Sequence, residues 1–312
     1  MSERALGNSG LSIRRFVLGG NVFGMTADRA ASFAVLDRFV ERGGGMIDTA
    51  DVYSAWVPGN RGGESEAMLG EWLKASGARD QILIATKVGM MEGGLKPDRV
   101  RAAVQGSLDR LGVDVIDLYF AHKDDPDVPL DEVLGAFSEL IDQGTVRAIG
   151  ASNYSAARLG EALAVSAKTG LSRFTVVQPE LNLLDRDQYE GPLQALCTAE
   201  GLGVITYFSL ASGYLSGKYR NADDLSKSPR GARVQPYMAG RGPDVLAAME
   251  RIARETGATL PQIALAWVAA QPGVTAPIAS ATSVAQLDEI MASEALRLAP
   301  EQLAALTEAG RA

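Results

Sequence analysis

Eight short apolar runs, seven of them followed by a segment of helical period, leave this sequence few folds to adopt. Strand-sized runs at Phe16–Gly19, Gly45–Asp48, Ile82–Lys87, Val115–His122, Thr145–Gly150 and Phe174–Gln178 alternate with helix-like segments around Arg29–Arg42, Glu64–Ala75, Pro97–Leu111, Asp131–Gln143, Ala156–Lys168 and Gly191–Glu200. Gly203–Tyr207 and Val274–Ile278 complete the set, the last with Val284–Ala292 as its helix. Alternation of this kind needs right-handed parallel crossovers, and eight of them point to a closed (β/α)8 TIM barrel more than to an open doubly wound sheet. A Rossmann sheet would show Gly-x-Gly-x-x-Gly after an early strand, and the sequence has none. A length of 312 residues suits one such barrel, so a single domain over 1–312 is expected.

Two segments stand outside the alternation. Arg4 to Phe16 surrounds the turn-forming Asn8-Ser9-Gly10 and predicts a small N-terminal β-hairpin. Phe208 to Gly242, after the seventh strand, has no sustained period, and loops this long inside compact domains are usually functional. Within it Lys227, Arg230, Arg233 and Arg241 outnumber Asp223 and Asp224, which suits either an anionic ligand or a solvated insertion. Helix ends are legible elsewhere: Phe33, Leu36 and Val40 share a face ahead of Gly43, and Pro97 sits where a first helical turn accepts proline.

Composition narrows the chemistry. One cysteine, Cys197, excludes a disulfide framework and any Cys-based zinc site within the chain, and one histidine, His122, excludes His-rich metal sites and catalysis by paired imidazoles. A net charge of −8 with dispersed basic residues argues against nucleic acid. No apolar stretch approaches the roughly 20 residues of a membrane span, and the charged Met1-Ser2-Glu3-Arg4 is unlike a signal peptide. A cytoplasmic protein with a small-molecule partner is expected.

In a barrel the active site lies at the C-terminal ends of the strands. The second run closes on Asp48 within Met46-Ile47-Asp48-Thr49-Ala50, with Tyr53 in the loop beyond; the third closes on Lys87 and the fourth on His122. Singly, each has an ordinary structural reading: a turn cap, a rim aromatic, a snorkelling lysine or a core histidine. Together, three adjacent strands deliver a carboxylate, a phenol, an ammonium and an imidazole to one rim. A protonated lysine favours the anionic form of a nearby phenol, so the pKa of Tyr53 is expected to fall, making it a better proton donor. The carboxylate keeps the lysine charged, and a neutral imidazole orients a carbonyl oxygen, which suits hydride reduction of C=O with Tyr53 as the acid.

The order Asp48-Thr49-Ala50-x-x-Tyr53, Lys87, His122, Gly150-x-Ser152-Asn153, Gln178 and Tyr207 resembles the aldo-keto reductase superfamily, as does the stretch from Pro129-Leu130-x-Glu132 to Ser152-Asn153. The resemblance implies an NAD(P)(H)-dependent oxidoreductase interconverting carbonyls and alcohols, with NADP(H) preferred and NAD(H) possible, and with Asp48, Tyr53, Lys87 and His122 as its catalytic tetrad. It also implies coenzyme contacts from Gly20 and Asn21, from Ser152, Asn153 and Gln178 to the nicotinamide carboxamide, and from Tyr207 stacked on the ring. Ser209, Leu210, Gly213, Leu215 and Lys218 fall in a stretch like the family's pyrophosphate loop. It is not a Walker A loop, because Gly213 and Gly217 are too close and Tyr219 stands where Ser or Thr would hold magnesium.

At the adenosine end Ser280, Thr282, Gln286 and Glu289 match contact positions, but the chain reads Ile278-Ala279-Ser280-Ala281-Thr282-Ser283, without the Arg or Lys many relatives place there, and Ile290 replaces a usual Asn. Phe23, Trp56 and Met90, in loops after the first three strands, are candidates for an apolar substrate pocket or for ordinary loop packing. The chain ends soon after a predicted helix at Pro300–Glu308, so an open, permissive pocket is expected. Two other functions fit the residues less well: a Schiff-base aldolase using Lys87, which leaves Gln178 and Tyr207 unexplained, and a non-catalytic nicotinamide-sensing subunit.

Overall fold

The computed structural model describes residues 3–227 and 231–311, without the side chain of Lys227. Strands β1 (Arg4–Ala5) and β2 (Ser12–Ile13) pair antiparallel as the expected hairpin. Strands β3 (Val17–Gly19), β4 (Met46–Asp48), β5 (Leu83–Val88), β6 (Ile116–Ala121), β7 (Val146–Ser152), β8 (Val176–Gln178), β9 (Gly203–Thr206) and β10 (Ala276–Ala279) form a closed parallel barrel in chain order, with β10 against β3. The (β/α)8 expectation is therefore met, with strand limits displaced by a few residues at most; the last strand is Ala276–Ala279, not Val274–Ile278.

The helices between them are α1 (Arg29–Glu41), α2 (Glu64–Ser76), α3 (Pro97–Leu111), α4 (Leu130–Asp142), α5 (Ala156–Thr169) and α6 (Pro192–Ala199). Their ends follow local chemistry: the side chains of Asp28 and Ser155 accept amides in the first turns of α1 and α5. Gly43 takes φ +71° just beyond α1, as its left-handed role there predicts. The buried face of α1 is rotated from the predicted one. Ser32, Val35, Leu36 and Phe39 are buried, while Phe33 and Val40 flank them half-exposed.

The long connection after β9 is mostly short helix rather than irregular loop. Two 3-10 segments, Ala211–Ser216 and Ala222–Lys227, lead to α7 (Gly231–Ala239), which contains Pro236. Two helices with no counterpart in the sequence reading follow, α8 (Gly242–Thr256) and α9 (Leu260–Ala269). After β10 come α10 (Val284–Met291) and α11 (Pro300–Ala309). Among the described residues no helix is long and apolar enough to cross a membrane, and no group of three or more His, Cys, Asp or Glu could hold a metal ion.

Strand alternation explains where the site sits. Val17, Met46, Ala85, Leu118, Ala148, Val176, Ile205 and Ala276 fill the barrel interior, and Leu6, Leu11 and Ile13 of the hairpin region join the same cluster. The hairpin thus packs into one end of the barrel, where Gly7 bridges Leu202 just before β9. Ile47, Tyr119, Ile149, Val177 and Val204 belong instead to the cluster shared with the helices. Side chains alternate faces along a strand, so two residues beyond an interior apolar position the next side chain points inward again. That step leads from Met46 to Asp48, Ala85 to Lys87, Phe120 to His122, Val176 to Gln178 and Ile205 to Tyr207.

Candidate active site

The four predicted catalytic residues are brought together. Lys87 is fully buried, and its Nζ donates to Asp48 Oδ2 at 2.6 Å, to the carbonyl of Thr49 at 2.8 Å and to the Tyr53 hydroxyl at 3.0 Å. The Tyr53 hydroxyl also lies 3.4 Å from Asp48 Oδ2. The imidazole of His122 packs against the Tyr53 ring, with centroids 6.0 Å apart. Asp48 is held at both oxygens, because Gln178 Nε2 donates to its Oδ1 at 2.8 Å.

Burial and charge set the protonation states. Burial pulls Lys87 down, but Asp48 and Tyr53 outweigh it, and the ammonium is held above its ordinary value. Burial, followed by the charge of Lys87, holds His122 well below the ordinary imidazole value, so it is neutral near pH 7. Its buried Nδ1 has no partner. A bare lone pair costs less there than an unpaired N–H, so the proton belongs on Nε2. The Tyr53 expectation is overturned: burial and Asp48 together outweigh Lys87, and the phenol is held above its ordinary value. Proximity to an ammonium does not lower a phenol that is itself desolvated beside a carboxylate.

The residues assigned to the carboxamide form one network. Ser152 Oγ donates to the carbonyl of Gln178 at 2.9 Å, and Asn153 Nδ2 donates to the His122 carbonyl at 2.8 Å and to Ser152 Oγ at 3.1 Å. Tyr207 donates its hydroxyl proton to Asn153 Oδ1 at 2.6 Å. The carboxylate of Asp48 can only accept, so the Gln178 amide must present its NH2 to it, leaving Oε1 as an acceptor for a ligand.

Every described non-glycine residue with positive φ lies in the loops of this rim: Ser54, Asn153, Phe208, Ala211 and Ser212. Strained backbone clusters where function requires it. In the pyrophosphate-like stretch, Ser209, Ala211 and Leu215 are buried, Leu210 is half-buried, and the helical turn breaks at Ser212 and Gly213. Lys218 stands beside Gly213, where a Cβ would lie 3.5 Å from its Nζ. An uneven backbone of small residues beside a lysine fits a diphosphate.

The adenosine-end candidates are hydroxyls and amides already engaged with one another. Ser280 donates to Asn21 Oδ1 at 2.7 Å, while Thr282 donates through both N–H and Oγ1 to Gln286 Oε1. Glu289 is half-buried and Ile290 buried. Gly20 donates its N–H to the Asp48 carbonyl at 2.7 Å, which ties the first rim loop to the second.

One other expectation is corrected. Phe23 is fully buried in the core, because a tight turn over residues 20–27 folds its ring inward, so it does not line an open pocket. Met25, which the sequence reading passed over, takes the rim place and accepts from Trp56 Nε1 at 3.1 Å. Among the described residues, Trp56 and Met90 are the exposed large hydrophobic ones, 56% and 50% exposed, and Trp56 packs against Tyr53. Arg241 donates to the carbonyls of Gly310 and Leu184. Arg233 lies over the Phe208 ring, Arg230 falls outside the described residues, and so does the side chain of Lys227.

A polar cluster behind the tetrad also escaped the sequence reading: the buried carboxylates Asp51 and Glu66, paired with the half-buried Arg99 and Arg110. The only local signal was a second acid inside the Asp48–Tyr53 loop. A recess of about 620 Å³ opens elsewhere on the rim, between Asn153 and Leu193, away from the tetrad.

The profile of the Aldo/keto reductase family matches residues 15–311. An aldo-keto reductase of Strobilurus tenacellus is 32% identical over 291 residues, 91% of this chain and 82% of the relative. A probable voltage-gated potassium channel subunit beta of Arabidopsis thaliana is 32% identical over 303 residues, 93% and 90% of the two chains. The uncharacterized oxidoreductase YrpG of Bacillus subtilis is 31% identical over 321 residues, 99% and 95%. The chain belongs to the aldo/keto reductase family, whose members are oxidoreductases working with NAD(H) or NADP(H).

Proposed function

We propose that the protein interconverts small aldehydes or ketones and the corresponding alcohols, with Tyr53 as the group that gives and takes the proton. The observation that carries this reading is the Lys87 ammonium, buried and shared between Asp48 Oδ2 and the Tyr53 hydroxyl. The coenzyme, when bound, supplies or accepts the hydride. His122, protonated on Nε2, donates a hydrogen bond to the substrate oxygen and turns it toward Tyr53. As negative charge grows on that oxygen, the Tyr53 proton moves to it, and the phenolate left behind is stabilised by Lys87. Asp48 keeps Lys87 charged and in place, held in turn by Gln178.

The nicotinamide carboxamide would be held by Ser152, Asn153 and the Oε1 of Gln178, the ring by Tyr207, the diphosphate by the backbone from Ser209 to Leu215 with Lys218, and the adenosine by Asn21, Ser280, Thr282, Gln286 and Glu289. NADP(H) is the preferred coenzyme on the family likeness. The absence of Arg or Lys from 278–290 favours NAD(H) as a second reading, because a 2′-phosphate would lack its usual charged partner. Trp56 and Met90 would form the apolar side of a permissive substrate pocket.

A Schiff-base aldolase is disfavoured. Nucleophilic attack needs a neutral amine, whereas Lys87 is held protonated with three hydrogen-bond partners. A purely regulatory role, suggested by the names of the channel-subunit relatives, leaves the assembled tetrad without use. A cytoplasmic location belongs to the same reading. Fluorescence titration with NADPH and NADH, then a panel of carbonyls and alcohols followed at the nicotinamide absorbance, tests it. Coenzyme-dependent turnover is expected; tight coenzyme binding without turnover of any carbonyl or alcohol would favour the regulatory role.

A further inference from the structure

The loop joining Asp48 to Tyr53 is pinned from outside the barrel. Asp51 is 2% exposed; its N–H donates to the Lys87 carbonyl at 3.2 Å, and its Oδ2 accepts from Arg99 Nη2, in the first turn of α3, at 2.9 Å. Its other oxygen, Oδ1, is buried with no partner, as are the hydroxyls of Ser54 and of Tyr119 on β6. Glu66 on α2 is fully buried and accepts from Arg110 Nε at 2.7 Å and from Thr86 Oγ1 at 2.5 Å. Immediately after Tyr53, Ser54 takes a left-handed φ of +72°.

A buried carboxylate with one orphaned oxygen, paired to a half-buried arginine, is a poor way to gain stability, since apolar residues of similar volume often do as well or better. Its merit is direction. One residue ties the strained loop to the strand end that carries Lys87 through its N–H, and to α3 through its carboxylate.

We propose that Asp51 is a positioning residue for Tyr53: its ionised carboxylate, clamped by Arg99, holds loop 49–54 so that the phenol meets Lys87, and protonation releases the clamp. This rests on Tyr53 being the proton donor. The groups facing Asp51 are Glu66 on α2, Arg99 and Arg110 on α3, and Tyr119 on β6. Burial, then Glu66, push its carboxyl up to about 6 against the pull of the two arginines. The clamp therefore loosens as the pH falls through that value. Glu180, at about 7, is the other raised carboxyl near the rim.

The test is the pH profile of kcat, between about pH 5 and 9, for the wild-type protein and for Asp51→Asn, Arg99→Met, Arg99→Lys and Glu180→Gln. The wild type should show an acidic limb near 6. Asp51→Asn should abolish that limb and lower kcat at alkaline pH about tenfold, with coenzyme affinity unchanged. Arg99→Met, removing a cation, should move the limb up by at least about half a unit, and Arg99→Lys should restore it. A limb that survives Asp51→Asn, ignores Arg99→Met or disappears in Glu180→Gln overturns the proposal. Wild-type turnover in Tyr53→Phe would instead overturn the reading beneath it.

Discussion

Gln178 and Asp48 face each other across the barrel from strands β8 and β4, and the 2.8 Å hydrogen bond between them joins the coenzyme's proposed carboxamide holder to the carboxylate that anchors Lys87. Gln178 therefore has two tasks. Replacing it with Met should weaken coenzyme binding about 10- to 100-fold, the loss expected for hydrogen bonds to a charged group and to the ligand. It should also raise the apparent pKa on the alkaline limb of kcat, because Asp48 would press more negative charge on Tyr53 and Lys87. Measuring both separates the tasks; weaker binding with an unmoved limb would leave Gln178 as a coenzyme contact alone.

Lys87 and Asp48 are both buried, at 0% and 3% side-chain exposure, so neither tolerates losing the other. Lys87→Met should cost about 3–5 kcal/mol of stability, and the double change Asp48→Asn with Lys87→Met should recover much of it. Urea unfolding of the single and double variants measures this. Additive losses would show that the pair is not coupled.

The corrected place of Phe23 separates two aromatic residues that looked alike in sequence. Phe23→Ala should cost about 3–5 kcal/mol of stability, while leaving relative KM values across carbonyls unchanged. Trp56→Ala should leave the thermal midpoint near that of the wild type and raise KM for bulky apolar carbonyls more than for small ones. Thermal melts and a substrate panel distinguish the two; equal effects on KM would return Phe23 to the pocket.

Two groups should make stability depend on pH in opposite directions. His122 in the folded chain is held well below its ordinary 6.5, so its contribution is present above that value and is lost as falling pH protonates the unfolded chain. Glu180 is pushed up from 4.5 to about 7 by burial and then Asp185, against Arg233, so its contribution is full below 4.5 and is lost as pH rises through 7. Urea midpoints across this range for His122→Gln and Glu180→Gln should each flatten one slope. A variant with the wild-type slope would show that its residue does not supply it.

Much of the site was legible because strand alternation and strand ends are written locally. Asp48, Lys87, His122, Gln178 and Tyr207 each lie two residues beyond an interior apolar position, so a period of two places them on the rim without tertiary information. Phe23 sits in a loop with no period to say which way its ring turns. Asp51 and Arg99 meet across 48 residues, and neither neighbourhood announces the pair. The protonation of Tyr53 was misjudged for a related reason: a nearby lysine can be read from order along the chain, whereas the depth of burial that outweighs it cannot. In α7, Pro236 within the helix concealed an element that the surrounding structure supports.

The central claim is that Tyr53 moves the proton. Single-turnover reduction of a carbonyl by the Tyr53→Phe variant, alongside coenzyme titration by fluorescence, tests it most directly. Turnover should fall by about 10²- to 10⁴-fold, the usual worth of a positioned acid, while coenzyme affinity stays within about twofold. Turnover near the wild-type rate, with coenzyme bound normally, would contradict it.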